Sequence, residues 1–575
     1  MTESAGYSLN RFIATTRGAM LSLLLLTMFI RSQCLLAGFL ADDFLHVERA
    51  RDMARHGLND VLTAFTLTST DLGLTWYTPP DIQIQYFRPL SSALFLMDFH
   101  LWGLSPRGYH LTNLLLHAVN VLLVFALARL LLRDTFPAWL AALLFLLHPA
   151  STEAVNWISA RTELIMTTFV LAAVLRGVAL HQALIETTPI PRRIRLAAET
   201  TGLAFLALLA KESGIVCAGL LFLVIDVRAA AGIDARRFRA PLAALAAVIP
   251  YIMLRIRFMD LASNFPPAYF TPPSSARFIP VYLFKMCLYL GHFTFFNPVD
   301  AFLARPLYHT HWYLAPLLIV LTLLLVRFLH RTFLAGTRLG RFLLWVPVSL
   351  APSALVFLGK RFLYLPLAGV AVVLAAVLNH VLRRGGPVRI GRLSCGTRSL
   401  LMAVLAMLFF MTAVNDAFTV RHTRELGRQV ARAAALLQTY HGPLEIHFTS
   451  MWFPMAIGLD HALRLQRTAG TLDVHAWWLF YYPNKGQPIM VNRKSDDHYV
   501  LELGSIRRVD RDLAEFYLWG TGWPETVTND TFESVTPQWH DGEITTLDVK
   551  LNPARCTRII LNFSGGRITP VLHQP

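Results

Sequence analysis

Two adjacent carboxylates, Asp42-Asp43, directly follow an apolar run from about Met20 to Leu40. At a membrane edge such a pair could supply a general base or hold a cation, while the plainer role is an acidic cap on the helix that follows. A second cluster runs from His148 to Glu163 and gathers His148, Glu153, Arg161 and Glu163 between two apolar runs. A plain connector does not need so many ionisable groups, although a His-Pro helix stop is commonplace. Lys211-Glu212-Ser213-Gly214 reads as a tight hairpin in which Lys211 and Glu212 pair with each other or serve a ligand. Gly359-Lys360-Arg361-Phe362-Leu363-Tyr364-Leu365-Pro366 places two cations where the charge pattern wants none, and a phosphate is the obvious anionic partner for them. His292 with Asn297 reads as a satisfied interfacial histidine. Tyr86, Phe87, Arg88 and Pro89 suit lipid packing and substrate contact equally.

The elements that carry these groups are those of a membrane protein. The 575 residues are 55% hydrophobic and 15% charged, with a mean hydropathy of +0.47. A soluble domain carries roughly 25% charge, and a disordered chain lacks the 38 Phe and 12 Trp found here. About 20 apolar residues are needed per crossing. On that basis spans are expected near Met20–Leu40, Tyr109–Leu132, Phe136–His148, Leu164–Leu180, Ala197–Ala210, Ile215–Val227, Pro241–Phe258, Trp312–Phe328, Phe342–Leu358, Phe362–Leu382 and Leu400–Ala417, about eleven in all. The net charge of +16 is read as topology rather than as a nucleic-acid partner. The basic clusters at Arg192–Arg195, Arg228–Arg239, Arg327–Arg341 and Arg383–Arg398 fall on one side only if Val281–Phe296 makes no net crossing. The expected topology therefore has the N-terminus inside, with residues 41–108 and everything after about 419 outside. The predominance of Arg over Lys leans towards a bacterial source and hence a cytoplasmic (inner) membrane.

Two domains follow: a helical transmembrane part over residues 1–419, and a small, mostly β extracytoplasmic part over residues 420–575. Helix is expected around Asp43–His56, a flat interfacial amphipathic run over Tyr86–Trp102, and helix again from Arg421 to about Leu437. Leu444–Phe448, Tyr499–Leu503 and Arg558–Asn562 read as strands between Gly/Pro/Asn turns. The five cysteines form no C-x-x-C pair or disulfide framework. No phosphate loop, dinucleotide-binding fingerprint or zinc-protease motif stands in a credible context, so no cofactor is expected. Two adjacent Asp make an incomplete site for a hard cation, which leaves use of a divalent metal open. Ionisable residues lie at one face rather than at mid-span, which favours an enzyme at the outer lipid edge over a transporter or glycolipid flippase.

Taken together, Asp42-Asp43, the run YFRPLSSALFLMDFHLWGLSPRGYHLTNLLLHAVN, the run HPASTEAVNWISARTELI, the KES at Lys211 and the KRFLYLPLAG at Lys360 resemble the protein O-mannosyltransferases that carry tetratricopeptide repeats. More broadly they are similar to GT-C glycosyltransferases, and the resemblance covers about Asp42 to Gly369. It implies a GT-C-like helical bundle that moves a hexose, mannose by analogy, from a polyprenyl-phosphate sugar to a protein, lipid or glycan acceptor. Asp42 or Asp43 would be the base on the acceptor hydroxyl. His148, Glu153, Arg161, Glu163 and Glu212 would line the cavity, Lys211 and Arg361 would neutralise the donor phosphate, and Tyr364 would stand beside it. The repeat domain of that family is replaced here by the β-prone tail after Arg421. Glu163 stands where Asp is expected, and Lys360 where an acidic residue is usual.

Overall fold

The computed structural model describes residues 15–56, 66–68, 83–228, 236–259, isolated positions from 274 to 334, and residues 338–356, 359–384, 387–390, 393–437, 440, 442–449, 451–452, 459–466, 472–477, 479–480, 490–503, 526–540, 543–564 and 567–573. His292 and Asn297 lie outside the described residues, as does most of 281–296. Two compact units emerge. The first draws on residues 1–37, 87–259 and 271–420, and the second on 38–86, 260–270 and 421–575. Residues 38–86 of the first outer loop thus group with the C-terminal part.

The first unit is helical. Among the described residues six helices are long and apolar enough to cross a membrane: Thr16–Leu36, Pro106–Leu132, Ile158–Ile185, Arg236–Phe258, Lys360–Arg384 and Thr397–Leu437. The pair Thr135–Leu147 and Pro149–Asn156, bent by 56° at its break, makes a seventh if counted as one span. The chain is a multi-pass membrane protein. Its helices begin where the backbone permits, with Pro89 and Pro106 occupying first-turn positions whose N–H would have no partner in any case. The expected crossings at Ala197–Ala210 and Ile215–Val227 correspond to helices Ile190–Ala210 and Cys217–Arg228. The latter, at 12 residues, is too short to cross alone.

The run expected to lie flat at the interface forms a helix with one polar and one apolar face. Helix Pro89–Trp102 buries Ser91, Ser92, Phe95 and Asp98 while Met97, Leu101 and Trp102 are exposed. The Ser91 hydroxyl donates to the Ala210 carbonyl at 3.0 Å, which ties this helix to the end of Ile190–Ala210. A polar inner face and an apolar outer face are the arrangement a membrane bundle needs, since lipid rather than water surrounds it.

In the second unit, helix Asp43–His56 appears with the bounds read from the sequence. Thr66–Thr68 pairs antiparallel with Gln83–Gln85. The expected last span and the expected helix from Arg421 are one continuous helix, Thr397–Leu437, of which residues 421–437 belong to this unit. Two four-stranded sheets follow. One has the order Phe532–His540, Glu543–Leu551, His498–Glu502, Met490–Arg493; the other has Arg567–His573, Thr557–Ser564, Leu444–Phe448, Leu472–Ala476. Leu444–Phe448 is parallel to both its neighbours and buried at every position, as a central parallel strand covered on both faces should be. His498–Glu502 is antiparallel to its neighbours and alternates, with Tyr499 and Leu501 inside.

Candidate active site

The segment from 148 to 163 folds as a broken path. His148 caps the end of helix Thr135–Leu147, and its Nδ1 accepts the Ala150 N–H at 3.1 Å. A 3-10 turn Pro149–Ser151, a short helix Thr152–Asn156 and a second 3-10 turn Ile158–Ala160 then lead into helix Arg161–Ile185. The Asn113 amide donates to the carbonyls of Val155 and Trp157 at 3.3 and 3.4 Å and so holds the path open. These breaks let Glu153, Arg161 and Glu163 meet partners from four other segments.

Glu153 accepts from Arg361 Nη1 at 2.7 Å. Glu163 is paired with Lys211, and Glu212 accepts from Arg88 Nε and Nη2 at 3.1 and 2.9 Å. Lys211 and Glu212 therefore pair outward, not with each other as the hairpin reading allowed. Gly214 makes that turn possible, because a Cβ there would lie 2.7 Å from the Ala207 carbonyl carbon. Lys211 Nζ stands 4.2 Å from the centre of the Phe362 ring, and the Arg361 guanidinium stands 5.0 Å from the same ring and 4.6 Å from that of Trp157. Two cations thus flank one aromatic ring, each backed by its own carboxylate. The side chains of Arg361 and Arg88 keep 14% of their surface exposed, against 7% for Lys211. Lys360 is buried.

Arg161 is used differently. Its Nη1 donates to Asp98 at 2.7 Å, its Nε to the Ile158 carbonyl and its Nη2 to the Tyr109 carbonyl, and neither Arg161 nor Asp98 has exposed side-chain surface. The fork is spent inside the protein and pins the turn that precedes Glu163. The Tyr364 hydroxyl is 2.6 Å from His117 Nδ1 and its ring packs edge-on to Phe145, so Tyr364 is fixed from two sides.

Sequence reasoning missed Asp98, His117 and Asp416. Arg31, an interior charge of the apolar run from about Met20 to Leu40, forms a buried pair with Asp416 at 3.2 Å, and Asp416 also accepts from Asn156 at 2.7 Å. The available signal was an ionisable side chain inside an apolar run, which a bundle tolerates only with a partner.

Asp42 and Asp43 belong to the second unit. Asp43 has no exposed surface, its Oδ2 accepts the Leu40 N–H at 2.8 Å, and its own N–H returns to the Leu40 carbonyl at 3.0 Å. Asp42 is partly exposed. Ala41 before them has φ +51°, a left-handed conformation that costs a non-glycine residue about 1–3 kcal/mol and persists only where the surroundings enforce it. Among the described residues no group of three or more His, Cys, Asp or Glu side chains converges as a metal site would require.

The C-terminal sheet holds one further polar group. His447, fully buried, is 2.6 Å from Glu445 through Nε2 and accepts the Trp477 indole N–H through Nδ1 at 3.0 Å. An acceptor Nδ1 is unprotonated, so His447 is the neutral Nε2–H tautomer. Burial pushes its pKa down to about 4. Burial pushes the Glu445 carboxyl up, but the hydrogen bond from His447 and the charge and hydrogen bonds of Arg558 outweigh it and hold the group below its ordinary value.

No protein-family model matches the chain. Over 190 residues it is 33% identical to the protein O-mannosyl-transferase TMTC3 of Mus musculus, covering 32% of this chain and 19% of the relative. Over 78 residues it is 42% identical to the protein O-mannosyl-transferase Tmtc1 of Drosophila melanogaster, covering 14% and 9%. This chain resembles the protein O-mannosyltransferases. The matches span about a fifth or less of these relatives' length. Among solved structures, ArnT of Cupriavidus metallidurans bound to undecaprenyl phosphate aligns at 11% identity over 93% of this chain and 98% of its own, with a TM-score of 0.42. The oligosaccharyltransferase AglB of Archaeoglobus fulgidus aligns at 11% identity over 79% and 64%, with a TM-score of 0.40. Scores this low carry no argument, and the resemblance rests on sequence.

Proposed function

We propose that the protein is a GT-C-type glycosyltransferase that moves a hexose, mannose by analogy, from a polyprenyl phosphate to a hydroxyl-bearing acceptor on the outer face of the cytoplasmic membrane. The observation that carries this reading is the approach of Lys211 and Arg361 to the Phe362 ring, in segments that resemble the O-mannosyltransferases. The acceptor oxygen attacks the anomeric carbon as the bond from that carbon to the phosphate oxygen breaks. The bonding pair leaves with the phosphate, and the acceptor proton passes to a carboxylate. Products are the glycosylated acceptor and polyprenyl phosphate. Lys211 and Arg361 offset the negative charge that grows on the leaving phosphate.

Of the acidic pair, Asp42 is assigned as the base, because Asp43 is committed to the Leu40 amide. Glu153 and Glu163 orient the two cations, Arg88 and Glu212 hold the hairpin beside them, and Arg161 with Asp98 fixes the turn before Glu163. His148 shapes the start of the broken path and Tyr364 closes it with His117. The topology belonging to this reading has eleven spans, the N-terminus inside and the C-terminal domain outside.

The test is transfer by inserted Asp42→Asn and Asp43→Asn variants. Asp42→Asn should lose on the order of 10²- to 10⁴-fold in turnover, the usual worth of a general base. Asp43→Asn should lose less, since an amide oxygen can still accept the Leu40 N–H. Full transfer by both variants would overturn the assignment.

A further inference from the structure

The Asp42-Asp43 turn is held at both ends by residues more than 370 positions away in the sequence. Four residues before Asp42, the Gly38 N–H donates to Thr423 Oγ1 at 3.0 Å. The approach is close: a Cβ on Gly38 would lie 3.1 Å from the Thr423 carbonyl oxygen. Thr423 itself is fully buried. Beyond the turn, Glu48 Oε2 on helix Asp43–His56 is 2.6 Å from His461 Nδ1 on helix Leu459–Gln466. The other Glu48 oxygen accepts from Arg51 at 3.1 Å, and Arg51 also donates to the Arg464 carbonyl at 3.2 Å. Glu48 and His461 are both buried, as are Leu45, Val47 and Ala50 of the first helix and Leu459, Ala462 and Leu463 of the second.

We infer that Thr423 and His461 are positioning residues, a two-point clamp by which the C-terminal domain fixes the Asp42-Asp43 turn. The inference rests on the reading above that this pair carries the base. Two features of the turn ask for a clamp. Its Ala41 backbone is strained, and a strained turn relaxes unless both flanks are fixed. A base also has to stay within hydrogen-bond reach of the hydroxyl it serves, so a displacement of about 1 Å costs on the order of 10²-fold in rate.

The experiment compares His461→Leu with His461→Asn, whose amide nitrogen can stand where Nδ1 stood, and Thr423→Val with Thr423→Ser, which keeps the hydroxyl. Each is measured as full-length inserted protein with a polyprenyl-phosphate hexose as probe. His461→Leu and Thr423→Val should lower kcat by about 10- to 100-fold. The KM for the donor should stay within about threefold, and His461→Asn and Thr423→Ser should recover most of the loss. Adding Glu48→Gln to His461→Leu should cost little more, because both variants break the same bond. Hydrogen exchange of the amides from 38 to 56 should quicken in His461→Leu and Thr423→Val but not in the conservative pair. A His461→Leu chain that fails to insert leaves the decision to Thr423→Val and Thr423→Ser. Unchanged kcat and unchanged exchange in the disruptive variants, with Asp42→Asn inactive, would overturn the clamp alone. Full transfer by both Asp42→Asn and Asp43→Asn would instead overturn the base assignment on which the clamp's purpose depends.

Discussion

Arg361 offers the sharpest separation of chemistry from architecture, because it is paired inside the protein and is also the residue proposed to hold the donor phosphate. It is bonded to Glu153 at 2.7 Å, with the two side chains 14% and 8% exposed, and it stacks over Trp157. Replacing it by Ala strands the Glu153 carboxylate, and breaking a buried pair on one side costs about 3–5 kcal/mol of stability. If Arg361 also holds the donor phosphate, the same change removes one preorganised donor, roughly 2–4 kcal/mol on the barrier or about 30- to 1000-fold in rate. A single variant cannot divide these effects, but Glu153→Gln combined with Arg361→Ala can. The double variant removes the orphaned charge, so inserted yield and thermal stability should return most of the way. Its transfer rate per inserted molecule should stay low. Arg361→Lys should fall between wild type and Arg361→Ala, since an ammonium keeps the charge but loses the planar fork and much of the stacking. The assay is initial rate of transfer divided by inserted protein, beside a melting curve in detergent. A double variant whose normalised rate returns to that of Glu153→Gln alone would show that Arg361 only serves Glu153, and would remove it from the phosphate site.

Three other outcomes follow from the geometry. Asp98→Ala leaves the Arg161 guanidinium buried without its carboxylate, so it should destabilise the protein by about 3–5 kcal/mol, read as a fall in unfolding midpoint and inserted yield. His447 has an ordinary value of 6.5 and is pushed to about 4 by burial, so between those pH values the unfolded state binds a proton that the folded state refuses. Stability of the C-terminal domain should therefore fall as pH drops from about 6.5 to about 4, by on the order of 3 kcal/mol from this group, and His447→Gln should flatten that slope in a pH series of Trp fluorescence unfolding. A reporter fused after Pro575 should be active outside and one in the Arg383–Arg398 loop active inside; a C-terminus found inside would mean that Val281–Phe296 crosses the membrane.

What could be read from the chain beforehand was whatever depends on near neighbours. Helix Asp43–His56 and strand Leu444–Phe448 announce themselves through local periodicity and turn residues, and the apolar runs mark the six described helices long enough to cross a membrane. The partners of the charged groups did not announce themselves. Arg88 meets Glu212 across 124 positions and Arg361 meets Glu153 across 208, distances over which periodicity carries no information. Adjacency even misled, since Lys211 and Glu212 looked like a pair and instead turn to Glu163 and Arg88. Helix Pro89–Trp102 exposes the apolar side chains of Met97, Leu101 and Trp102, in keeping with the lipid surface that its aromatics suited. The lone Asp98 within that apolar run was the clue that its inner face is polar.

The most direct measurement places purified protein in sealed liposomes with a polyprenyl phosphate bearing radiolabelled mannose and a mixture of hydroxyl-bearing acceptors from the cell envelope. The account predicts that label moves to an acceptor with release of one polyprenyl phosphate per sugar transferred, and that Asp42→Asn, inserted to the same level, does not transfer. If no polyprenyl-phosphate hexose is consumed while the labelled lipid crosses the bilayer, the protein is a carrier of glycolipid and the account is wrong.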